Sequence, residues 1–185
     1  MFEMQAKEIF PTLLKDDFLL QDLFRWRARL RLEGFSDEDA FVRCFSSRQE
    51  FRSMIKYRVA RYGDKALTQS FSRQFDAHKN AFITNFYLSC KDVGPGLYVE
   101  HGFSTILYAQ SVGQNLHLNQ CVTVGSGRGG IPVLGDNVCL YAGSIVCGGV
   151  TIGDNVDVAA GAVVVDSVPS GSVVASPKAV VIKQK

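Results

Sequence analysis

A six-residue pattern repeats six times without interruption over residues 134–169. Each repeat opens on an aliphatic residue, and its fifth position holds a small or β-branched residue. The opening residues are Leu134, Leu140, Val146, Ile152, Val158 and Val164. A period of six fits neither an α-helix nor a flat amphipathic strand. It is typical of a parallel β-helix, in which each short strand stacks on its counterpart one coil earlier.

The same register extends toward the N-terminus. Earlier hexads begin at Val93, Val99, Ile106, Val112, Leu118 and Val124, with one extra residue before Ile106. The spacing then widens before the uninterrupted run, so a Gly-rich loop over residues 125–133 leaves the β-helix. At three hexads per coil, the hexads predict about four coils, which is enough for a stable solenoid.

Four helices are predicted in residues 1–85, where apolar residues recur at helical spacing. They are expected over residues 13–32, from Ser36 to Phe45, over residues 47–63 and over residues 65–78. Gly34 ends the first helix, and Ser47 followed by Glu50 is a capping box that opens the third.

The change of periodicity divides the chain into two predicted parts. Residues 1–85 are expected to form an α-helical N-terminal unit. Residues 86–185 are expected to form a mainly β unit, the β-helix, with a basic C-terminal tail. With 185 residues and 46% hydrophobic content, the chain can bury one main core and a small second unit.

Composition argues against several classes of partner. The net charge of +2 at pH 7 gives no reason to expect nucleic-acid binding. The N-terminus lacks the basic start and apolar core of a signal peptide, and no apolar run reaches the roughly 18 residues of a membrane span. The five cysteines form no CxxC pair, as expected for thiols in a reducing compartment. We therefore expect a cytoplasmic protein without a transmembrane segment.

Three histidines stand out, because few reactive side chains project from a coil built of aliphatic hexads. His101 directly follows Glu100 at an outward position, His117 ends a hexad, and His78 lies in the helical part. A neutral imidazole is a competent general base near neutral pH. A zinc site with three histidines on adjacent coils is disfavoured, since His78 precedes the β-helix and the other two are not close in sequence. No metal is therefore expected.

Three segments follow one another in a distinctive order: Val93-Gly-Pro-Gly-Leu-Tyr-Val-Glu-His-Gly, then Leu118-Asn-Gln-Cys-Val-Thr-Val-Gly-Ser-Gly-Arg-Gly-Gly, then the long hexad run. Together they resemble the catalytic domain of serine acetyltransferases and their relatives among the hexapeptide-repeat acyltransferases. The N-terminal segment Glu50-Phe-Arg-Ser-Met-Ile-Lys-Tyr-Arg is more similar to the sugar O-acetyltransferases of surface-polysaccharide pathways.

This resemblance implies a left-handed β-helix that forms a homotrimer, with acetyl-CoA in the groove between neighbouring subunits; a dimer of trimers stays open. His101 matches the family's catalytic histidine, which takes the proton from the acceptor hydroxyl as the hydroxyl attacks the thioester. Glu100 matches the preceding acidic residue, which contacts the acceptor or biases the imidazole. The cofactor-binding residues implied by position are Gly125, Gly127, Arg128, Gly129, Ala142, Ala160 and Lys178.

Three features of serine acetyltransferases are missing from the sequence. Phe86 replaces an orienting aspartate, Ile131 replaces a histidine beside the Gly-rich loop, and Lys185 replaces a terminal isoleucine. Asp92 is a possible substitute for the aspartate, with a geometry that the sequence does not fix. The expected function is therefore O-acetylation of a sugar of capsular or extracellular polysaccharide. Serine O-acetylation in cysteine biosynthesis is the alternative, and a non-catalytic scaffold also stays open.

Overall fold

The computed structural model describes residues 2–13, 17–63, 65, 68–69, 71–72 and 81–184. Its helices are α1 (Phe2–Leu13), α2 (Asp17–Leu30), α3 (Asp37–Ser47) and α4 (Gln49–Tyr62). Within the described residues, no helix is long and apolar enough to cross a membrane.

Short parallel strands follow the helices and wind into a prism with three faces. They are β1 (Phe86–Leu88), β2 (Tyr98–Val99), β3 (Thr105–Leu107), β4 (Ser111–Val112), β5 (His117–Leu118), β6 (Thr123–Gly125), β7 (Val133–Leu134), β8 (Cys139–Leu140), β9 (Ile145–Cys147), β10 (Thr151–Ile152), β11 (Asp157–Val158), β12 (Val163–Val164) and β13 (Val173–Val174). Sheet A has the order β1-β3-β6-β9-β12, sheet B β4-β7-β10 and sheet C β2-β5-β8-β11-β13. From β2 to β12, successive strands visit sheets C, A and B in turn, and β13 returns to sheet C. The predicted fold class, a left-handed parallel β-helix after a small helical unit, is confirmed. It has about five coils instead of four.

The hexad pattern builds the core, because the aliphatic residue of each repeat points into the prism. Val99, Leu118, Leu140 and Val158 lie in register on sheet C, and each is at most 1% exposed. Burying one such side chain contributes roughly 1.5–3 kcal/mol. The interior is therefore a continuous stack of aliphatic side chains.

Asparagines stabilise a corner of the prism from outside. Asn115, Asn137 and Asn155 adopt positive φ values of 61°, 55° and 56°, a conformation that asparagine tolerates well. Their side-chain amides form a ladder, with donor–acceptor distances of 3.0 and 3.1 Å. The Asn residues of the repeat therefore turn the chain and connect adjacent coils.

The corner between β2 and β3 departs from the predicted register. Leu107 points inward and is fully buried, whereas Ile106 points outward and is 42% exposed. From inward Val99 to inward Leu107 the chain uses two more residues than from Leu118 to Val124 on the next coil. The prediction that Ile106 continues the inward pattern is therefore wrong. Two adjacent aliphatic residues look alike in the sequence, and only the corner decides which one faces the core.

The predicted helix ends agree with the structure only in part. Ser36 caps α3, because its hydroxyl oxygen accepts from the Asp39 N–H at 3.1 Å. Helix α4 ends before Gly63, as predicted. The capping box at Ser47 is wrong: Ser47 is the last residue of α3, and its hydroxyl donates to the Arg43 carbonyl at 2.7 Å.

The start of the chain also differs from the prediction. Helix α1 is not anticipated by the sequence pattern, and α2 begins at Asp17, later than the predicted start at residue 13. Residues 65, 68–69 and 71–72 are helical, in agreement with the predicted fourth helix. The rest of that helix, including His78, lies outside the described residues.

A buried ion pair connects the helical unit to the first coil. Asp22 of α2 and Arg58 of α4 are both fully buried and are joined by two contacts of 2.8 and 3.1 Å. Arg58 also donates to the carbonyls of Val93 and Gly94, and Asp22 accepts from the Leu97 N–H at 2.7 Å. One ion pair thus holds two helices and the first coil together.

Three more side chains extend this connection along the first coil. Trp26 of α2 donates from its indole N–H to the Leu97 carbonyl at 3.0 Å. From α4, Tyr57 donates to the Cys90 carbonyl at 3.0 Å, and Arg61 donates to the Lys91 carbonyl at 2.7 Å. Helices α2 and α4 therefore supply side-chain partners for backbone groups that have no preceding coil to pair with.

Candidate functional site

The extra residues between β2 and β3 make the corner that carries His101 bulge outward. His101, Gly102 and Ser104 have positive φ values of 65°, 54° and 53°. The Gly102 N–H donates to the Glu100 carbonyl at 2.8 Å, which tightens the turn. A Cβ atom on buried Gly102 would lie 2.5 Å from a methyl group of Val99, so glycine is required there. The bulge projects His101 away from the prism.

The exposed His101 side chain borders two adjoining cavities. The inner cavity, of about 200 Å³, lies between α2 and the first coil. It is lined by Trp26, Arg29, Leu30, Arg48, Glu50, Tyr98, Val99, Glu100 and His101. The outer cavity, of about 310 Å³, is lined by Ser47, Arg48, Gln49, Glu50, Ile83, Thr84, His101 and Phe103. No described side chain hydrogen-bonds to the His101 ring, so the ring can serve a ligand in either cavity.

The inner cavity combines charges of both signs. Arg29 comes from α2, Arg48 and Glu50 from the α3–α4 junction, and Glu100 from the end of β2. The Arg29 guanidinium lies 5.5 Å from the centre of the Tyr98 ring. Within the described part of the chain, Arg29, Arg48 and Glu50 form no ion pair. Their charges are therefore available to a polar ligand.

The Glu100 carboxylate is held by His117 from the next coil. The His117 Nε2 lies 3.0 Å from a Glu100 oxygen, and the Asn119 amide lies 3.5 Å from the same oxygen. His117 is only 4% exposed, between the rings of Tyr98 and Tyr141. Burial lowers the pKa of His117 despite the opposing hydrogen bond to Glu100. His117 is therefore a neutral imidazole that donates its Nε2–H to the carboxylate at neutral pH.

The predicted residues Ala142 and Ala160 occupy the same corner of the prism as His101, two and three coils further along. Ala142 is half-buried and Ala160 is exposed. The Ser176 hydroxyl donates to a backbone carbonyl of this corner at 3.1 Å, so the C-terminal tail begins there. Lys178, which is exposed, follows two residues later.

The predicted Gly-rich loop leaves from the opposite edge of sheet A. Strand β6 ends at Gly125, and Gly127, Arg128 and Gly129 follow in the exposed loop. The width of sheet A separates this loop from the corner that carries His101. A single chain therefore does not bring the two groups of predicted site residues together.

The backbone of the Gly-rich loop rests closely on the next coil. Gly127 and Gly130 exchange backbone hydrogen bonds of 3.0 and 3.2 Å. The Gly149 N–H donates to the Arg128 carbonyl at 3.0 Å. A Cβ atom at Gly149 would lie only 2.2 Å from the Gly129 carbonyl oxygen. The shape of the loop thus depends on a glycine below it.

An apolar row covers the outer surface of sheet A between the two edges. Tyr87, Ile106 and Val163 are 57%, 42% and 60% exposed. They lie in register with Thr123 and Ile145, one residue per coil. A row of exposed apolar side chains is a candidate surface for contact with another molecule.

Asp92, considered as a substitute for the missing aspartate, lies away from His101. It is exposed, its carbonyl accepts from the Val112 N–H beside sheet B, and it lines neither cavity. Phe86, at the place of the missing aspartate, faces the apolar underside of Gly102. Asp92 therefore does not orient the His101 ring within this chain.

The described histidines lie in different surroundings. His101 projects from the bulged corner, while His117 is engaged by Glu100 on sheet C. In the described ranges, no group of three or more His, Cys, Asp or Glu side chains is arranged to hold a metal ion.

Comparison with known proteins places the hexad run in a family. Residues 131–166 match the family described as bacterial transferase hexapeptide (six repeats). A comparison with curated protein sequences gives no match.

Among solved structures, serine acetyltransferase isoform 3 from Entamoeba histolytica, in complex with cysteine, is similar over 100% of this chain and 66% of its own, with 20% identity and a TM-score of 0.66. The Neisseria gonorrhoeae serine acetyltransferase in complex with serine is similar over 94% of this chain and 70% of its own, with 23% identity and a TM-score of 0.61. The Brucella abortus enzyme gives 22% identity and a TM-score of 0.60 over 97% of this chain and 71% of its own. The chain thus spans about two thirds of the length of these enzymes. The resemblance is confirmed: the chain carries the hexapeptide repeat of bacterial transferases on a fold shared with serine acetyltransferases.

Proposed function

We propose that this chain is an acetyl-CoA-dependent O-acetyltransferase with His101 as its general base. The observation that carries the proposal is the exposed His101 imidazole, which stands where two cavities meet on a hexapeptide β-helix. An alcohol is a poor nucleophile at neutral pH, and a positioned base contributes about 10²- to 10⁴-fold to such a reaction. Holding the hydroxyl and the thioester side by side supplies much of the rest.

In the proposed transfer, His101 accepts one proton and later returns it. The imidazole takes the proton of the acceptor hydroxyl while the hydroxyl oxygen bonds to the thioester carbonyl carbon. The resulting tetrahedral intermediate breaks its carbon–sulfur bond. The departing thiolate takes the proton from the imidazolium, which leaves an O-acetyl ester, free CoA and a neutral His101.

The inner cavity favours a small acceptor that carries both charges. Arg29 and Arg48 can bind a carboxylate, while Glu50 and Glu100 can bind an ammonium group. A volume of about 200 Å³ suits an amino acid. Two of the similar solved enzymes are serine acetyltransferases in complex with cysteine or serine. We therefore place serine, the alternative from the sequence, ahead of a polysaccharide sugar.

A sugar hydroxyl is the second candidate, and the outer cavity favours it. This cavity is larger, about 310 Å³, and Ser47 and Gln49 give it polar groups that suit sugar hydroxyls. Phe103, which is 49% exposed, offers a flat apolar surface at its edge. The replacements at Phe86 and Ile131 also remove two side chains that serine acetyltransferases carry.

The acetyl-CoA site is proposed to lie between copies of the chain. The Gly-rich loop and His101 are at opposite edges of sheet A, and the apolar row lies between these edges. In a homotrimer, the loop of one subunit can face the His101 corner of its neighbour. Backbone N–H groups of Gly127 and Gly129 would then contact the pantetheine arm, and Arg128 and Lys178 would contact phosphates. The mass in solution tests this, since a protein active as a 20.3 kDa monomer would contradict the shared site.

Release of free CoA thiol from acetyl-CoA tests the activity and the acceptor together. The assay uses L-serine and, separately, a panel of sugars with the wild type, His101→Ala and the control Lys91→Ala. Lys91 is exposed and lines neither cavity. We expect His101→Ala to lower kcat by about 10²-fold or more while acetyl-CoA binding persists, and Lys91→Ala to behave as wild type.

Each outcome of this assay has a defined meaning. Activity with serine alone would support the first candidate, and activity with sugars alone would support the second. An unchanged kcat in His101→Ala would refute the general base. Binding of acetyl-CoA without turnover on any acceptor would leave the scaffold hypothesis as the better account.

A further inference from the structure

The position of Glu100 depends on a contact that crosses from one coil to the next. Tyr98 pairs with His117, and Val99 pairs with Leu118, in the parallel ladder of sheet C. The Glu100 side chain, which follows this pair, contacts His117, is 43% exposed and lines the inner cavity. The His117 side chain beneath it is only 6% exposed. The carboxylate is therefore the exposed partner of this contact, and the imidazole is the buried one.

We propose that His117 is a positioning residue that fixes the Glu100 carboxylate in the acceptor site without cancelling its charge. The inference rests on the proposed O-acetyltransferase function. A lysine or arginine at this place would form an ion pair and neutralise the carboxylate. A neutral imidazole donates a hydrogen bond and leaves a full negative charge. That charge remains available to an acceptor's ammonium or hydroxyl hydrogen.

The surroundings of His117 keep the imidazole neutral. Burial disfavours a positive charge on His117, and Arg29 and Arg25 of α2 disfavour it further. Glu100 is the neighbour that acts in the opposite direction. Cys139 lies next in the sheet C ladder, and the pKa of its thiol is raised by burial. The net result is a lowered pKa for His117, in keeping with its role as a neutral donor.

A graded set of variants separates positioning from mere packing. In His117→Leu, Glu100 keeps, among the described side chains, only the Asn119 contact at 3.5 Å, which is at the limit of a hydrogen bond. In His117→Gln, the side-chain amide can still donate to the carboxylate. Glu100→Gln keeps the shape of the side chain but removes its charge. The double variant with His117→Leu and Glu100→Gln tests whether the two residues act as one unit.

Steady-state kinetics with the active acceptor gives the first readout. We expect His117→Leu to raise the acceptor KM at least tenfold, with kcat within about threefold and the KM for acetyl-CoA unchanged. His117→Gln should stay within about threefold of wild type. The double variant should be no worse than Glu100→Gln alone. An unchanged acceptor KM in His117→Leu, or equal losses with leucine and glutamine, would overturn the proposal.

Histidine NMR titration gives a second readout that needs no turnover. Glu100→Gln should lower the pKa of His117 further, because it removes the neighbouring negative charge. Asp136→Asn, at an exposed corner of the prism, should leave that pKa unchanged. The same His117 pKa in Glu100→Gln and wild type would show that the contact does not exist. A shifted His117 pKa without acceptor-dependent CoA release from the wild type would show that the contact exists but that the proposed O-acetyltransferase function is wrong. The proposed role of His117 in the acceptor site would then be rejected as well.

Discussion

Breaking the buried ion pair between Asp22 and Arg58 should separate the helical unit from the β-helix. Both side chains are fully buried, so removing one leaves the other charge unpaired, which costs about 3–5 kcal/mol. Asp22→Leu also removes the acceptor of the Leu97 N–H, which adds about 1–3 kcal/mol. We therefore expect Asp22→Leu to lower the free energy of unfolding by about 4–8 kcal/mol. Domains have about 5–15 kcal/mol in total, so the variant would be close to unfolding.

The fluorescence of the single tryptophan of the chain reports on the contact between the helical unit and the first coil. Trp26 is 1% exposed and bonds to the Leu97 carbonyl beside the ion pair. In a protein of this size, 1 kcal/mol shifts the melting temperature by about 2–4 °C, so Asp22→Leu should lower it by about 8–30 °C. Thermal unfolding followed by Trp26 fluorescence measures the shift.

Two further variants make the measurement decisive. The Arg27–Asp37 pair is partly exposed, and such pairs contribute about 0–1 kcal/mol, so Asp37→Leu should change the melting temperature by a few degrees at most. Combining Asp22→Leu with Arg58→Met removes both charges and should recover part of the loss, since apolar replacements of buried pairs are often tolerated. The reasoning is refuted if Asp22→Leu is as mild as Asp37→Leu, or if the two losses at the buried pair simply add.

Two other predictions concern the Gly-rich loop and the pH dependence of stability. Gly149→Ala forces the Gly129 carbonyl to move, and losing one hydrogen bond of about 1 kcal/mol should raise the KM for acetyl-CoA about fivefold. The control Gly34→Ala, which has open space around it, should leave this KM unchanged. An unchanged KM in Gly149→Ala would exclude the loop from the acetyl-CoA site. Because the pKa of His117 is lowered in the folded state, the unfolded chain binds a proton first as the pH falls below about 6.5, so stability should decrease by up to about 1.4 kcal/mol per pH unit from there down to the folded pKa. Urea unfolding at several pH values between pH 8 and pH 5 measures this dependence. The free energy of unfolding should fall less steeply with decreasing pH in His117→Gln than in the wild type, and an equal fall in both would contradict a neutral, buried His117.

The regular part of the β-helix was predictable because its interior is repetitive. Residues 134–169 place every sixth side chain in the same narrow stack, so an aliphatic residue at that interval has little freedom to face elsewhere. The corner before β3 was not predictable, because Ile106 and Leu107 are equally suited to the interior. The contact between Glu100 and His117 was not predicted, although the expected hexads already align Val99 with Leu118. Aligning His117 with Tyr98 on the neighbouring coil is the signal that would have revealed it.

The helical unit shows a different limit of the sequence. Pro11 lies inside α1, although proline ordinarily interrupts a helix, so the pattern gave no reason to expect a helix there. Ser47 and Glu50 have the spacing of a capping box, yet α3 continues through Ser47, whose hydroxyl donates to the Arg43 carbonyl instead of capping α4. The charges of the inner cavity come from three separate elements, so only the tertiary fold could bring Arg29, Arg48 and Glu100 together.

The hydrogen bonds from α2 and α4 to the first coil cover the end of the β-helix that would otherwise be open. The first coil of a parallel β-helix exposes a row of unpaired carbonyl and N–H groups, on which another chain could continue the ladder. Here side chains occupy the carbonyls of Cys90, Lys91, Val93, Gly94 and Leu97. With these acceptors occupied and the helices lying over them, an incoming strand finds little to pair with. The helical unit thereby closes one end of the solenoid and opposes end-to-end growth into fibres.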